Sequence, residues 1–130
     1  MTAPASAPKP KPAVLLVDDE PAILELGQLA LAGEFEVVTA ASAEEAGVLT
    51  AQRRFDVIVC DQMMPGQTGV EFLMDLAERQ PNIRRILMTG YMNPELLSRA
   101  VPLAGLSACL IKPTLPNELK RAIHAALAQK

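Results

Sequence analysis

Five short apolar runs punctuate this chain, and between them apolar residues recur at helical spacing. The runs AVLLV (13–17), EVVTA (36–40), FDVIVC (55–60), RILMT (85–89) and CLI (109–111) are each bounded by polar or turn residues and predict strands. Pro21 stands at a first helical position, where its missing N–H costs nothing. Ser42 with Glu45 predicts a capping box. Val70, Leu73, Met74 and Ala77 fall at i, i+3, i+4 and i+7, one face of a helix. Asn93-Pro94 reads as a cap followed by a first-turn proline, and Pro102 is expected to end or kink that fourth helix near Val101, before a loop through Gly105. Leu119, Ala122, Ile123, Ala126 and Leu127 form the apolar stripe of a last helix behind Pro116. Five strand–helix repeats with near-continuous apolar strands predict an α/β fold whose parallel sheet is covered on both faces. Right-handed crossovers make it a doubly wound, three-layer sandwich.

Residues 1–12 (MTAPASAPKPKP) break the pattern. A Pro/Ala/Lys-rich stretch without periodicity cannot bury enough surface to offset its ordering entropy, so it predicts a disordered arm, with one domain over 13–130. The chain has 130 residues, half of them hydrophobic and 21% charged, enough for one real core. Its longest apolar run is too short to span a bilayer, and the start lacks a secretory apolar stretch, which predicts a cytoplasmic protein. A net charge of −3 gives no basic footprint for nucleic acid. The pairs Arg53-Arg54, Arg84-Arg85 and Lys120-Arg121 read as solvated ends of elements. Cys60 and Cys109 sit in apolar runs without metal spacing and read as buried small hydrophobes.

Candidate chemistry gathers at the strand tips. Strand one ends in Asp18-Asp19-Glu20, strand three in Asp61, strand four in Thr89, and strand five in Lys112-Pro113. Open α/β sheets bind ligands beyond the carboxyl ends of their strands, where strand order reverses. With an order of 2-1-3-4-5, strands one and three are neighbours about 4.8 Å apart, and three aspartates meet a hydroxyl and a lysine. Packed carboxylates repel one another, and a hard divalent cation relieves that conflict; Mg²⁺ fits best, because it accepts a few carboxylates and bridges to phosphate oxygens. A carboxylate facing the metal can attack phosphorus, with Lys112 and Thr89 contacting the remaining oxygens. Each residue alone also has a plain reading: a helix N-terminus for Asp18-Asp19-Glu20, a loop acid for Asp61, a strand-end hydroxyl for Thr89, a solvated tip for Lys112.

Asp18-Asp19, the run Asp61-Gln-Met-Met64-Pro65 with Gly69, Thr89-Gly90, and Lys112-Pro113 followed by Glu118-Leu119 occur in an order and spacing that resembles the receiver domain of response regulators in bacterial two-component systems. The resemblance covers Ala13 to about Ala128. It implies a flavodoxin-like (βα)5 fold with sheet order 2-1-3-4-5 and a phosphoryl acceptor at Asp61. It further implies Mg²⁺ held by Asp18, Asp19, Asp61 and the backbone carbonyl of Met63, with Thr89 and Lys112 on the phosphoryl group and a cis Lys112-Pro113 peptide. The implied phosphodonor is a sensor histidine kinase or a histidine phosphotransfer protein. The implied role is a conformational switch rather than an enzyme that turns over.

Four positions depart from the pattern or stand apart from it. Cys109 occupies the place of a ring that in many relatives moves with the threonine, so signal output is expected to use another route. Met63 and Tyr91 flank the expected path of the attacking water without offering it a carboxylate or amide, which predicts a long-lived phosphoryl group. His124 is the only histidine and is read as a half-packed helix residue. Two other readings stay open: a pseudo-receiver that binds a partner constitutively, and a phosphatase working through an aspartyl phosphate, although Met63 stands where such an enzyme needs a second carboxylate. The surface of the fourth helix, fifth strand and last helix, with Leu96, Leu97 and Leu103, is a candidate for dimerisation or effector docking.

Overall fold

The structure, a computed structural model, describes residues 10–90, 98, 102 and 104–129. Its described elements are β1 (Ala13–Val17), α1 (Pro21–Leu31), β2 (Glu36–Ala40), α2 (Ala43–Gln52), β3 (Val57–Asp61), α3 (Gly69–Arg79), β4 (Arg84–Thr89), β5 (Ala108–Ile111) and α4 (Pro116–Ala128), the last predicted helix. All strand pairs are parallel and the sheet order is β2-β1-β3-β4-β5, as the resemblance implies.

Strand side chains divide by parity between two cores. Leu15, Val17, Ile58, Cys60 and Leu87 pack under α2 and α3 with Phe72, Leu73 and Leu76. Val14, Leu16, Val57, Val59, Ile86 and Met88 pack under α1 and α4 with Leu31, Leu119 and Ile123. Burial on both faces explains why the central strands read as unbroken apolar runs. The structure thus has three layers. A Cβ at Gly27 would run into the Leu16 side chain, so glycine is what lets α1 sit this close to β1.

The predicted helix starts at Pro21, Ser42 and Pro116 are found, with one exchange of partner, while Asn93-Pro94 lies outside the described residues. Pro21 and Pro116 occupy first-turn positions. At α2 the Ser42 hydroxyl accepts from the Glu45 N–H at 3.0 Å, but the Glu45 carboxylate accepts from Ala41 N–H rather than from Ser42. Ser42 is fully extended (φ −157°), which changes the amide that faces the first turn. The complete box stands on α3, where Thr68 and Glu71 satisfy each other's backbone N–H groups. The buried face of α3 lies one position round from the predicted stripe: Phe72, Leu73 and Leu76 are buried with Val70, while Met74 and Ala77 are half-buried. Ser98, Pro102 and Ala104 are helical; Val101, where Pro102 was expected to end or kink the helix, lies outside the described residues, and the turn comes at Gly105, whose φ of +58° suits glycine. Tyr91, Leu96, Leu97 and Leu103 lie outside the described residues, and with them the fourth-helix part of the predicted docking surface.

Of the basic pairs read as solvated ends, Arg84-Arg85 is corrected. Arg84 donates to the Ala126 and Gln129 carbonyls, where a cation meets the negative end of the α4 dipole. Arg85 donates to the carbonyls of Pro81, Ile83, Ala104 and Gly105, binding the α3–β4 turn to the segment before β5. His124 lies 5.0 Å from the Phe35 ring, centroid to centroid, and pairs with Glu34 at 2.9 Å. Lys120 reaches the other Glu34 oxygen at 3.4 Å, and the His124 contact leads these partners in holding the Glu34 carboxyl below its usual range. Cys60 is buried as expected, whereas Cys109 is only half-buried.

Candidate functional site

Register brings the tips together. Val17 pairs with Cys60, so Asp18 and Asp61, each one residue further, stand level at the carboxyl ends of β1 and β3. Asp61 is level with Met88, Thr89 follows it, and Thr89 is level with Ile111, which places Lys112 one step beyond. Asp18 is wholly buried, and Asp61 and Thr89 nearly so.

The Lys112 ammonium is shared between the two buried acids, 2.9 Å from Asp18 Oδ2 and 3.1 Å from Asp61 Oδ1, with Glu20 at 3.8 Å. The second Asp18 oxygen accepts from the Glu20 N–H at 2.9 Å, which fixes the carboxylate's orientation. Burial pushes the Asp61 carboxyl up and the Asp18 charge adds to it, while Lys112 and the Met63 amide pull the other way and do not prevail. For Lys112, burial alone favours the neutral amine, yet hydrogen bonds to Asp18 and Asp61 outweigh it and raise its pKa.

Asp19 and Glu20 are exposed beside Asp18, and the three carboxylates bring oxygens within 4.8 Å of one another. Asp18, Glu20 and Asp61 thus gather at one ammonium, with Asp19 beside Asp18. That hard-oxygen donor set with surplus negative charge fits a small divalent cation such as Mg²⁺. The upward shift of Asp61 points the same way, because Lys112 alone leaves its charge under-compensated. The Lys112-Pro113 peptide is cis. The Met63 side chain is exposed, and Cys109 sits level with Leu87 in β5.

Glu20, noted in the sequence at the tip of strand one but given no role there, belongs to the acid group. One contributor escapes the sequence reading. Gln62 is buried, its side-chain oxygen accepting from the Val70 N–H at 2.8 Å and its carbonyl from the Gly69 N–H at 3.0 Å. It pins the start of α3 to the end of β3, which a polar residue in a loop does not announce. Gly69 has a local reason: a Cβ there would collide with the Asp61 carbonyl and lie 3.0 Å from the Gln62 Cα. Gly69→Ala is expected to cost about 1–3 kcal/mol through forced backbone movement, read as a lower Tm in thermal unfolding. An unchanged Tm would mean the β3–α3 loop yields freely.

Comparison with known proteins agrees with this geometry. The response regulator receiver domain family matches residues 14–124. The hydrogenase transcriptional regulatory protein HoxA of Cupriavidus necator is 41% identical over 114 residues, covering 88% of this chain and 24% of that protein. The DNA-binding transcriptional activator DevR/DosR of Mycobacterium tuberculosis is 36% identical, over 85% of this chain and 52% of that protein. The chain therefore spans about a quarter to a half of these relatives' length. Among solved structures, a CheY-like receiver domain protein from Methanospirillum hungatei superposes with a TM-score of 0.85 at 31% identity, covering 90% of this chain and 94% of that one. TrrA of Thermotoga maritima, solved in complex with Mg(2+)-BeF, gives 0.79 at 30% identity over 89% of this chain and 99% of its own. The fold is that of a flavodoxin-like α/β sandwich with a crevice at the carboxyl ends of its strands. The chain belongs to the response regulator receiver domain family of two-component systems.

Proposed function

We propose that this chain is a phosphorylation-driven switch with Asp61 as acceptor. The observation that carries the reading is the Lys112 ammonium held between buried Asp18 and Asp61 at three strand tips. The Asp61 carboxylate forms the new O–P bond as the N–P bond of a partner's phosphohistidine breaks, and the imidazole leaves with that bond's electron pair. Lys112 and the Thr89 hydroxyl take the phosphoryl oxygens, positioned before the group arrives. Asp18, Asp19 and Asp61, with the Met63 carbonyl, would hold Mg²⁺, which when bound neutralises charge between carboxylates and phosphoryl group. The Mg(2+)-BeF complex of TrrA supports that choice of metal. No carboxylate stands at Met63 to activate water, which favours a switch over a phosphatase. The phosphoryl group then shifts a two-state equilibrium.

Intact mass after incubation with acetyl phosphate tests this. The parent is expected to gain one phosphoryl group only with Mg²⁺, and Asp61→Asn none. No gain in the parent, together with no binding of beryllofluoride, would leave the constitutive pseudo-receiver as the better account.

A sensor kinase or histidine phosphotransfer protein is the proposed donor, and α1 has the surface for it. Leu26 and Leu29 are 64% and 73% exposed. An apolar groove of about 440 Å³ between α1 and α4 opens beside Lys112 and Pro113. Leu26 lines this groove and Leu29 is exposed on the same helix, a surface that fits an amphipathic partner helix. Leu29→Glu is expected to slow phosphotransfer from a donor protein about tenfold or more and to leave acetyl phosphate labelling unchanged. Equal slowing of both reactions would place the effect in the crevice itself.

A further inference from the structure

The end of the sheet opposite the acid crevice carries a groove that the switch chemistry does not use. Two adjoining cavities of about 430 and 240 Å³ share Arg54, Phe55 and Asn82 as lining. Arg84 and Asp56 border the first, Arg79 and Ile83 the second. Arg54 and Arg79 are both exposed, and neither has a hydrogen bond or ion pair among the described residues. Their neighbours differ in this respect: Arg53 is tied to Glu36 at 2.7 Å and stacks on the Phe55 ring.

Several acceptors of the groove already have donors. The carbonyls of Pro81, Asn82 and Ile83 all accept from Arg84 or Arg85, which also braces this turn from behind. Asp56, the only acid in the lining among the described residues, accepts from the Ala13 N–H at 2.8 Å. Three arginines against one acid leave a local excess of positive charge in a chain whose net charge is −3. Asn82 borders both cavities, and its exposed side chain is suited to hydrogen-bond a peptide backbone.

We infer that this groove docks an acidic polypeptide segment, with Arg54 and Arg79 each taking one carboxylate and Asn82 the backbone between them. Guanidinium forks match carboxylates in paired hydrogen bonds, and two joined cavities suit an extended segment better than a single small anion. The surface lies at the far end of the strands from Asp61. Docking there is independent of the acceptor reading, and Asp61→Asn leaves it intact.

The test is fluorescence anisotropy of the 130-residue chain with a labelled hexapeptide alternating glutamate and leucine, against the same peptide with glutamine for glutamate. The expected result is binding of the acidic peptide alone, weakened severalfold at about 0.3 M salt, where exposed charges are screened. The double variant Arg54→Gln/Arg79→Gln should bind at least about tenfold more weakly, with Arg121→Gln as an unaffected control. Because neither arginine is tied to the fold, the double variant keeps the parent's Tm, and lost binding is not lost folding. Equal binding by parent and double variant overturns the proposal. So does equal displacement by millimolar inorganic phosphate, which would mark a small-anion site. Sedimentation showing a dimer that the double variant loses, without peptide binding, would overturn it in favour of a second copy as the occupant.

Discussion

Lys112→Ala is expected to lose about 3 kcal/mol of folding stability at neutral pH without divalent cations, a fall in Tm of about 10 °C. The lysine is the cation that Asp18 and Asp61 share, and both acids are buried. Without it, two carboxylates face each other out of water with nothing to balance them, unless one takes up a proton. The loss should therefore shrink as pH falls and the acids protonate, and Mg²⁺ should restore part of it. A loss of the same size at pH 4 and pH 7 would assign the effect to missing packing of the lysine stem. In the parent, the raised Lys112 pKa adds stability that is fully present below the unfolded value of about 10.4 and is lost as pH climbs through the higher folded value.

Asp61→Asn should do the reverse and stabilise the cation-free protein, raising its Tm at neutral pH. Its folded-state carboxyl titrates above the unfolded value, mainly because it is buried. Between those two values the folded state holds more protons than the unfolded one, so stability falls as pH rises through the window. The penalty is absent below the unfolded value of about 3.9 and complete above the folded one. Asparagine has no such charge, and its side-chain oxygen can still accept from Lys112. The two Tm curves should converge in acid and separate toward neutral pH. Mg²⁺ should raise the parent's Tm more than the variant's. A variant less stable than the parent at pH 7 would show that the Lys112 pairing outweighs burial after all. Paired with the mass experiment, this makes one substitution report both the chemistry and the electrostatic cost of the acceptor.

The apolar runs and their polar ends were enough to place the strands and their tips, and the physical reason is the parallel sheet. A strand covered on both faces must be apolar at nearly every position, so β1 and β3 stand out, and a polar residue becomes conspicuous where cover ends, as at Asp18, Asp61, Thr89 and Lys112. Helix starts at Pro21, Ser42 and Pro116 were legible because capping is local chemistry. The order of motifs along the chain identified the family.

What depended on tertiary structure was the partner each polar group takes. Lys112 meets Asp18 across 94 positions and His124 meets Glu34 across 90, distances that no local pattern encodes. Arg84 and Arg85 look like a solvated pair in sequence, yet their donors close helix and turn carbonyls that packing leaves open. Gln62 looks like loop and is a buried brace. The buried face of α3 was set by how the helix rolled against Phe72 and Leu76 rather than by spacing alone. Local sequence settles where an element can begin and which face can be buried. The fold decides which charges lose their water, and so which carboxylate carries the raised pKa and which arginines are left without a partner.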